Sequence, residues 1–212
     1  MRALFTVLFG VVSALNLGAC KPPSRGTAAV LAPDAGGANA DALKQYWQVP
    51  AFELIDQDAR KFNSGEMIGK VWVVDFFYTT CPGPCPALTS RLSNLHKAFA
   101  GDSRVGFLSI STDPEKDQPD VLRKYADKFG ADARWRFLTG KTSTVFALAN
   151  NGFKLSLTGS KDGIESGTHS TRLALVDGSG WVCGFFEGVG DEDSASTARL
   201  TEGIHTLLKG LK

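Results

Sequence analysis

Two cysteines, Cys81 and Cys85, stand four residues apart on either side of a Pro-Gly-Pro sequence. Such a pair can form a disulfide, exchange electrons with another thiol pair, or hold a soft metal ion. On one regular helix their Cβ atoms would be about 5–6 Å apart, whereas a relaxed disulfide needs roughly 3.5–4.5 Å. The prolines and glycine between them argue against a helical Cys81, which keeps a disulfide within reach. The spacing permits both states and favours a metal.

The residues around the pair predict a strand, a tight turn and a helix. Residues 71–78 are β-branched and aromatic except for Asp75, which is typical of a strand buried on both faces. At the junction with a helix, backbone N–H groups and the helix dipole favour thiolates. A buried carboxylate is costly unless paired, so Asp75 either meets a cation or has a raised pKa near the thiols. The helix is predicted from an apolar stripe at Leu88, Leu92, Leu95 and Phe99.

Strands and helices alternate along the rest of the chain, which predicts the α/β class. The order of elements, with cysteines after the first core strand, resembles that of a thioredoxin-like domain. The resemblance implies a central mixed sheet flanked by helices, with an N-terminal hairpin as an extension. The predicted elements are a hairpin arm from residue 52, strands at 105–111 and 135–138, helices at 119–129 and 142–150, strands at 169–176 and 181–186, and a helix at 194–210.

Two sulfurs do not complete a metal site, and the chain offers three histidines as a third ligand. His96 would lie about 16 Å along the helix from Cys85, too far to share an ion. His205 flanks the apolar stripe of the last helix and is expected on the surface. His169 begins a predicted buried strand after a polar loop, and in a thioredoxin-like sheet that position returns to the cysteine turn. Two thiolates and one imidazole suit copper, Cu(I) especially.

Four motifs in sequence order are similar to those of the Sco/SenC family of copper-binding assembly proteins. They are an aromatic-rich strand, a Cys-Pro-x-x-Cys-Pro turn, an Asp-Pro-Glu sequence after the next strand, and a distant His-Ser before an apolar strand. The likeness extends from about residue 52 to the C-terminus. In this chain the motifs are Phe76-Phe77-Tyr78, Cys81-Pro82-Gly83-Pro84-Cys85-Pro86, Asp113-Pro114-Glu115 and His169-Ser170.

The resemblance implies that Cys81, Cys85 and His169 bind Cu(I) or Cu(II), with Asp113 nearby and the two cysteines as a redox-active pair. It also implies work on the binuclear copper (CuA) centre of cytochrome c oxidase, as copper donor, thiol reductant, or both. The implied partners are the oxidase subunit that carries CuA, other copper chaperones and thiol reductants. The residues leave an alternative open: a periplasmic thiol-disulfide oxidoreductase without copper, in which Cys81 attacks and Cys85 resolves the mixed disulfide. A peroxidase ranks last, because Tyr78 stands where its threonine belongs.

Two other side chains have more than one interpretation. Asp113 either caps the turn or helix that follows it, or lies close enough to a metal-bound histidine to orient the ring. Cys183 lies among aromatic residues in a predicted strand, where a cysteine usually behaves as a small buried hydrophobe. It is also the one spare thiol of the domain.

The N-terminus predicts export and a membrane anchor. Arg2 and the apolar run after it have the pattern of a signal sequence over residues 1–19. Small residues before Cys20 resemble a bacterial lipobox, in which Cys20 would carry lipid; an uncleaved signal anchor is the alternative. Residues 20–45 are predicted to be a flexible tether, and residues 46–212 the folded domain. Either anchor places the domain in the cell envelope facing outward, on the periplasmic side, where disulfides can form.

The charge balance excludes one class of partner. The chain has a net charge of +1, and removal of residues 1–19 leaves 22 basic and 22 acidic residues. Since basic residues are spread along the chain without a run, nothing indicates nucleic-acid binding.

Overall fold

Eight strands and four α-helices are formed by residues 43–155, 170–190 and 193–211, the parts of the chain that this computed structural model describes. All of the strands belong to one mixed sheet. The strands are β1 (Trp47–Gln48), β2 (Glu53–Asp56), β3 (Lys61–Asn63), β4 (Val71–Phe77), β5 (Val105–Ser111), β6 (Trp135–Thr139), β7 (Arg172–Val176) and β8 (Trp181–Glu187). The helices are α1 (Cys85–Ala98), α2 (Pro119–Lys128), α3 (Thr142–Ala147) and α4 (Asp193–Gly210).

The strand order across the sheet is β1-β8-β7-β4-β5-β6-β2-β3. β4, β5 and β6 run parallel to one another, whereas β7 pairs antiparallel with β4. The register pairs Phe77 with Ser111, so β4 and β5 end side by side. The turns that follow these two strands therefore start at the same edge of the sheet. The turn after β4 carries Cys81, and the turn after β5 carries Asp113.

Both faces of the sheet are covered, as predicted for strand β4. Every residue of β4 is buried, and its side chains alternate between two apolar clusters. Val73 and Phe77 face the cluster that includes α1, α2 and α4; Trp72 and Phe76 face the other cluster. Full burial of each large apolar side chain contributes about 1.5–3 kcal/mol. The predicted stripe of α1 is confirmed, because it packs in the first cluster through Leu88, Leu92, Leu95 and Phe99.

The predicted N-terminal hairpin is confirmed as β2 and β3, which pair antiparallel with each other. β2 also pairs with β6, so the hairpin extends the sheet at one side. Its turn is closed by Asp56, whose Oδ1 accepts hydrogen bonds from the backbone N–H groups of Asp58 (2.8 Å) and Arg60 (2.9 Å).

Some short elements differ from the sequence-based prediction. β1 was not predicted, because a two-residue strand has no period; it pairs with β8, and the Trp47 indole donates to the Gly152 carbonyl at 2.7 Å. A 3₁₀ turn, Ser64–Met67, precedes β4 and begins with a capping box between Asn63 and Glu66. This Asn-x-x-Glu signal was present in the sequence.

Predictions for residues 1–42, including the signal sequence and Cys20, lie outside the described residues. None of the helices in the described parts of the chain combines the length and the apolar character needed to cross a membrane.

Candidate metal centre

The two cysteines lie where β4 turns into α1. Cys81 is in the turn, and its N–H donates to the Tyr78 carbonyl at 3.3 Å. Cys85 is the first residue of α1, preceded by Pro84 as N-cap. Both side chains are thiols and both are buried, Cys81 with 7% of its surface exposed and Cys85 with none. The prediction that Cys81 is not helical is confirmed.

The side chains of Cys81 and Cys85 are hydrogen-bonded to each other. Burial is the main cause that raises the pKa of the Cys85 thiol, and the contact with Cys81 raises it further. A hydrogen bond from the Tyr78 backbone lowers the pKa, but by less. For Cys85, burial therefore outweighs the helix dipole that was expected to favour a thiolate. A metal ion that binds here must displace protons, as thiolate ligation requires.

Tyr78 adds a hydroxyl group to the site. Burial raises the pKa of Tyr78 to about 12, and a side-chain hydrogen bond with Cys81 raises it too. Smaller electrostatic effects of Cys81, Cys85 and Asp113 act in the same direction. The phenol therefore stays protonated and can donate to the sulfur of Cys81. The sequence contained this residue three positions before Cys81, but its role was not predicted.

Asp113 lies in the turn after β5, near Tyr78. Its carboxylate accepts from Lys116 Nζ at 2.9 Å, and its carbonyl accepts from the N–H groups of Lys116 and Asp117. Since α2 begins later, with Gln118 as its N-cap, Asp113 belongs to the turn rather than to the helix. A role for Asp113 beside a metal-bound histidine stays a prediction.

Asp117, which the sequence analysis missed, joins the two turns. Its carboxylate is fully buried and accepts from the Thr79 N–H at 3.0 Å and from the Thr79 hydroxyl. The Ser111 hydroxyl donates to the same carboxylate at 2.5 Å. The only signal in the sequence was a third acidic residue, four positions after Asp113 and two after Glu115.

Asp75 lies inside β4 with no exposed surface. Its Oδ1 accepts from the Ser109 hydroxyl at 2.6 Å, and Ser109 in turn accepts from the Trp135 indole at 2.9 Å. The other oxygen, Oδ2, has no hydrogen-bond partner among the described residues. Burial raises the pKa of Asp75 to about 7, against the lowering effect of the Ser109 hydrogen bond. Of the two alternatives for Asp75, burial without a hydrogen-bond donor to Oδ2 in the described part of the chain favours the raised pKa. The charge of Asp75 in turn raises the pKa of the Cys85 thiol.

Three other candidate residues lie away from the cysteine turn. His96 is buried, with its Nε2 2.8 Å from Asp132 Oδ1. His205 is exposed, as predicted, and its ring packs against Phe99. Cys183 is 3% exposed, and burial raises the pKa of its thiol to about 12, so the prediction of a buried, hydrophobe-like cysteine is confirmed.

The proposed third ligand, His169, lies outside the described residues. Within the described ranges, no three His, Cys, Asp or Glu side chains are grouped so that they could hold a metal ion. The ligand set of Cys81, Cys85 and His169 therefore stays a prediction. The described residues provide two of its three members, the thiols of Cys81 and Cys85.

Comparison with known proteins gives the family. The model of the SCO1/SenC family matches residues 40–206. A SCO1/SenC family lipoprotein from Bacillus anthracis str. Ames is 28% identical, with a TM-score of 0.66 over 75% of this chain and 95% of that one. BsSco, a member of the Sco family of cytochrome c oxidase assembly proteins in which a disulfide switch was identified, is 28% identical, with a TM-score of 0.61 over 74% and 94%.

A more distant structure supports the fold. ScoI of Bradyrhizobium japonicum, solved with copper bound, is 24% identical, with a TM-score of 0.59 over 74% of this chain and 99% of that one. The predicted thioredoxin-like fold is confirmed by these Sco structures. Because the family model covers most of the sequence, the chain belongs to the SCO1/SenC family.

Proposed function

We propose that this protein is a membrane-tethered copper carrier that delivers copper to the CuA site of cytochrome c oxidase, reduces the thiols of that site, or does both during assembly. Membership of the family supports a role in the assembly of cytochrome c oxidase, since a relative of the same family is described as a cytochrome c oxidase assembly protein. The observation that carries the proposal is the contact between the buried thiols of Cys81 and Cys85 at the end of the central strand.

Copper is the cargo that this pair suits. Two thiolates select soft ions such as Cu(I), and an imidazole from His169 would complete a three-ligand set. Some members of the family have been solved with copper bound. Because burial raises the pKa of the Cys85 thiol, copper must compete with a proton there, so copper affinity should increase with pH.

Anaerobic copper titration of the full reduced chain in detergent tests the ligand set. The variants are Cys81→Ser, Cys85→Ser and His169→Ala, with His205→Ala as the matched control because His205 is an exposed histidine on α4. With Cu(II), we expect a thiolate-to-copper charge-transfer band in the wild type and in His205→Ala. Each cysteine variant should lose the band, and His169→Ala should weaken binding at least about tenfold, as expected for loss of a ligand.

Two outcomes would contradict the proposal in different ways. If His169→Ala binds copper as tightly as the wild type, the third ligand is wrong and the cysteine pair remains. If both cysteine variants bind copper like the wild type, the copper-carrier function itself is wrong.

The alternative is a thiol-disulfide oxidoreductase that works without copper. Here Cys81 attacks a substrate disulfide, Cys85 displaces the reduced substrate, and the protein is left with a Cys81–Cys85 disulfide while two electrons pass to the substrate. The contact between the thiols also favours this reaction. Reduction of a disulfide-oxidised CuA-domain fragment by copper-free protein would support it, and reduction of insulin at a similar rate would indicate a general reductase.

The tether would keep the domain at the membrane, on the periplasmic side of the envelope. The lipobox-like sequence before Cys20 supports lipid attachment there, and a family neighbour is described as a lipoprotein. Labelling with radioactive palmitate should give a labelled wild type and an unlabelled Cys20→Ser. An unlabelled wild type that still fractionates with membranes would favour the uncleaved signal anchor.

A further inference from the structure

We propose that Asp117 is a positioning residue for the cysteine pair: its carboxylate holds Thr79 and thereby fixes the backbone on which Cys81 lies. The proposal rests on the proposed function, in which Cys81 and Cys85 work as a pair. It assigns a task to an acidic residue that lies outside the motifs discussed so far.

The contacts of Asp117 are directed at the cysteine turn. Thr79 follows β4 by two residues and precedes Cys81 by two. Its N–H donates to Asp117 Oδ2 at 3.0 Å while its hydroxyl bonds to Oδ1, so one residue engages both carboxylate oxygens. Two bonds between the same two residues fix orientation as well as distance.

The Asp117 carboxylate also accepts a hydrogen bond from the neighbouring strand, since Ser111, the last residue of β5, donates to Oδ2 at 2.5 Å. The backbone of Asp117 is held within its own turn, where its N–H donates to the Asp113 carbonyl at 2.9 Å. A second link runs beside it, since the Thr112 N–H donates to the Phe77 carbonyl at 2.8 Å. Asp117 therefore ties the start of the cysteine turn to a rigid part of the sheet.

Only one of the two cysteines depends on this tie. Cys85 is held as the first residue of α1, whose first helical hydrogen bond runs from Leu88 to Pro84 at 2.9 Å. Cys81 lies in the turn, between the tie at Thr79 and the start of the helix. Loss of the tie would leave Cys85 in place and widen the range of positions open to Cys81, which lowers the effective concentration of one thiol at the other.

The acceptor side of the tie is buried. Asp117 and Ser111 have no exposed surface, whereas Thr79 is partly exposed. Water therefore has little access to the carboxylate that accepts from Thr79. A substitution that removes one acceptor leaves a buried donor without a partner, and the turn must rearrange to satisfy it. A substitution at Asp117 should therefore change the position of Cys81, although the two side chains belong to different turns.

The test compares Asp117→Asn, which keeps the volume but replaces one acceptor by a donor, with Thr79→Val, which removes only the hydroxyl contact. Thr79→Ser keeps the hydroxyl and serves as the rescue. Asp56→Asn is the matched control, because Asp56 is also buried and its carboxylate accepts from two backbone N–H groups and from Arg136, but in the hairpin. All variants are made in the full chain.

The first measurement is the equilibrium with glutathione, which needs no copper. One glutathione disulfide oxidises the Cys81 and Cys85 thiols to a disulfide and yields two glutathione thiols. We expect Asp117→Asn to disfavour the protein disulfide at least about tenfold, a shift of about 30 mV for a two-electron couple. Thr79→Val should shift it in the same direction by less, and Thr79→Ser and Asp56→Asn should stay within about twofold of wild type.

The second measurement is the affinity for copper, which should fall in the same order of variants. If Asp117→Asn and Thr79→Val keep both the redox equilibrium and the affinity within about twofold of wild type, Asp117 is not a positioning residue. An equal shift in Asp56→Asn would also overturn the proposal, because any buried carboxylate would then suffice. Should Asp117→Asn fail to fold, the difference between Thr79→Val and Thr79→Ser decides alone. A wild type that binds no copper would refute the copper-carrier function, while the glutathione equilibrium would still test Asp117.

Discussion

Two buried carboxylates near the cysteine turn differ in the number of hydrogen bonds that they accept. Asp75 and Asp117 both have no exposed surface. Three hydrogen bonds from Thr79 and Ser111 converge on Asp117. Asp75 accepts one from Ser109, and its Oδ2 has no partner within the described residues.

At equal burial, the number of hydrogen-bond donors around a carboxylate decides whether it acts as a structural link or binds a proton. Asp117 has enough donors to serve as a structural tie between two turns. Asp75 lacks them, so burial raises its pKa to about 7 and the group binds a proton instead. Asp117 should therefore contribute to stability through its hydrogen bonds, and Asp75 should make stability depend on pH.

The largest effect is expected for Asp117→Ala. The change leaves the Thr79 N–H and the hydroxyls of Thr79 and Ser111 without their common acceptor, which should lower the free energy of unfolding by about 3 kcal/mol or more. Urea unfolding at pH 7 measures the loss. The control is Asp120→Ala, an exposed carboxylate in the first turn of α2, with an expected loss below about 1 kcal/mol. Equal losses would remove the distinction drawn for Asp117.

The pH dependence of stability should come next in size and belong to Asp75. Its pKa is raised from 3.8 to about 7 in the folded state, so between these values the folded protein keeps a proton that the unfolded chain releases. This contribution is complete below about pH 4 and is lost as the pH rises to 7, at up to about 1.4 kcal/mol per pH unit. Urea unfolding at pH 5 and pH 7.5 should show a smaller decrease for Asp75→Asn than for the wild type. Parallel curves would mean that Asp75 does not titrate in this range.

A smaller effect should follow from Ser109→Ala. The change removes the one donor to Asp75 and the acceptor of the Trp135 indole, at a cost of about 1–2 kcal/mol in the free energy of unfolding. Without the Ser109 hydrogen bond, which lowers the pKa of Asp75, the pH-dependent loss of stability should move to higher pH. Ser196→Ala, which removes a serine hydroxyl that donates to the Glu187 carbonyl, is the control and should leave that midpoint unchanged. A midpoint that stays in place in Ser109→Ala would show that its hydroxyl does not act on Asp75.

Much of the fold was predictable, because its signals are local. The strand over residues 71–77 was evident from its run of apolar residues, and α1 from the period of its buried leucines. The prolines around Cys85 indicated that the pair spans a turn and a helix start, which the structure confirms. Where the signal was too short, as for the two-residue β1, the prediction failed.

The electrostatics of the site were less predictable. The position of Cys85 at a helix start suggested a favoured thiolate, yet burial raises the pKa of its thiol. The sequence showed that Asp75 was an unusual residue for a strand, but it did not show whether Asp75 pairs with a cation or has a raised pKa. Burial and the number of donors are properties of the packed molecule, and no local pattern reports them.

The α/β order, the strand, turn and helix that carry Cys81 and Cys85, and the motifs of the family could all be identified from the sequence, because each depends on neighbouring residues. The bond between Thr79 and Asp117, 38 residues away, became evident only in the folded molecule. Parallel pairing of β4 with β5 brings the ends of both strands to one edge of the sheet, and their turns can meet only there.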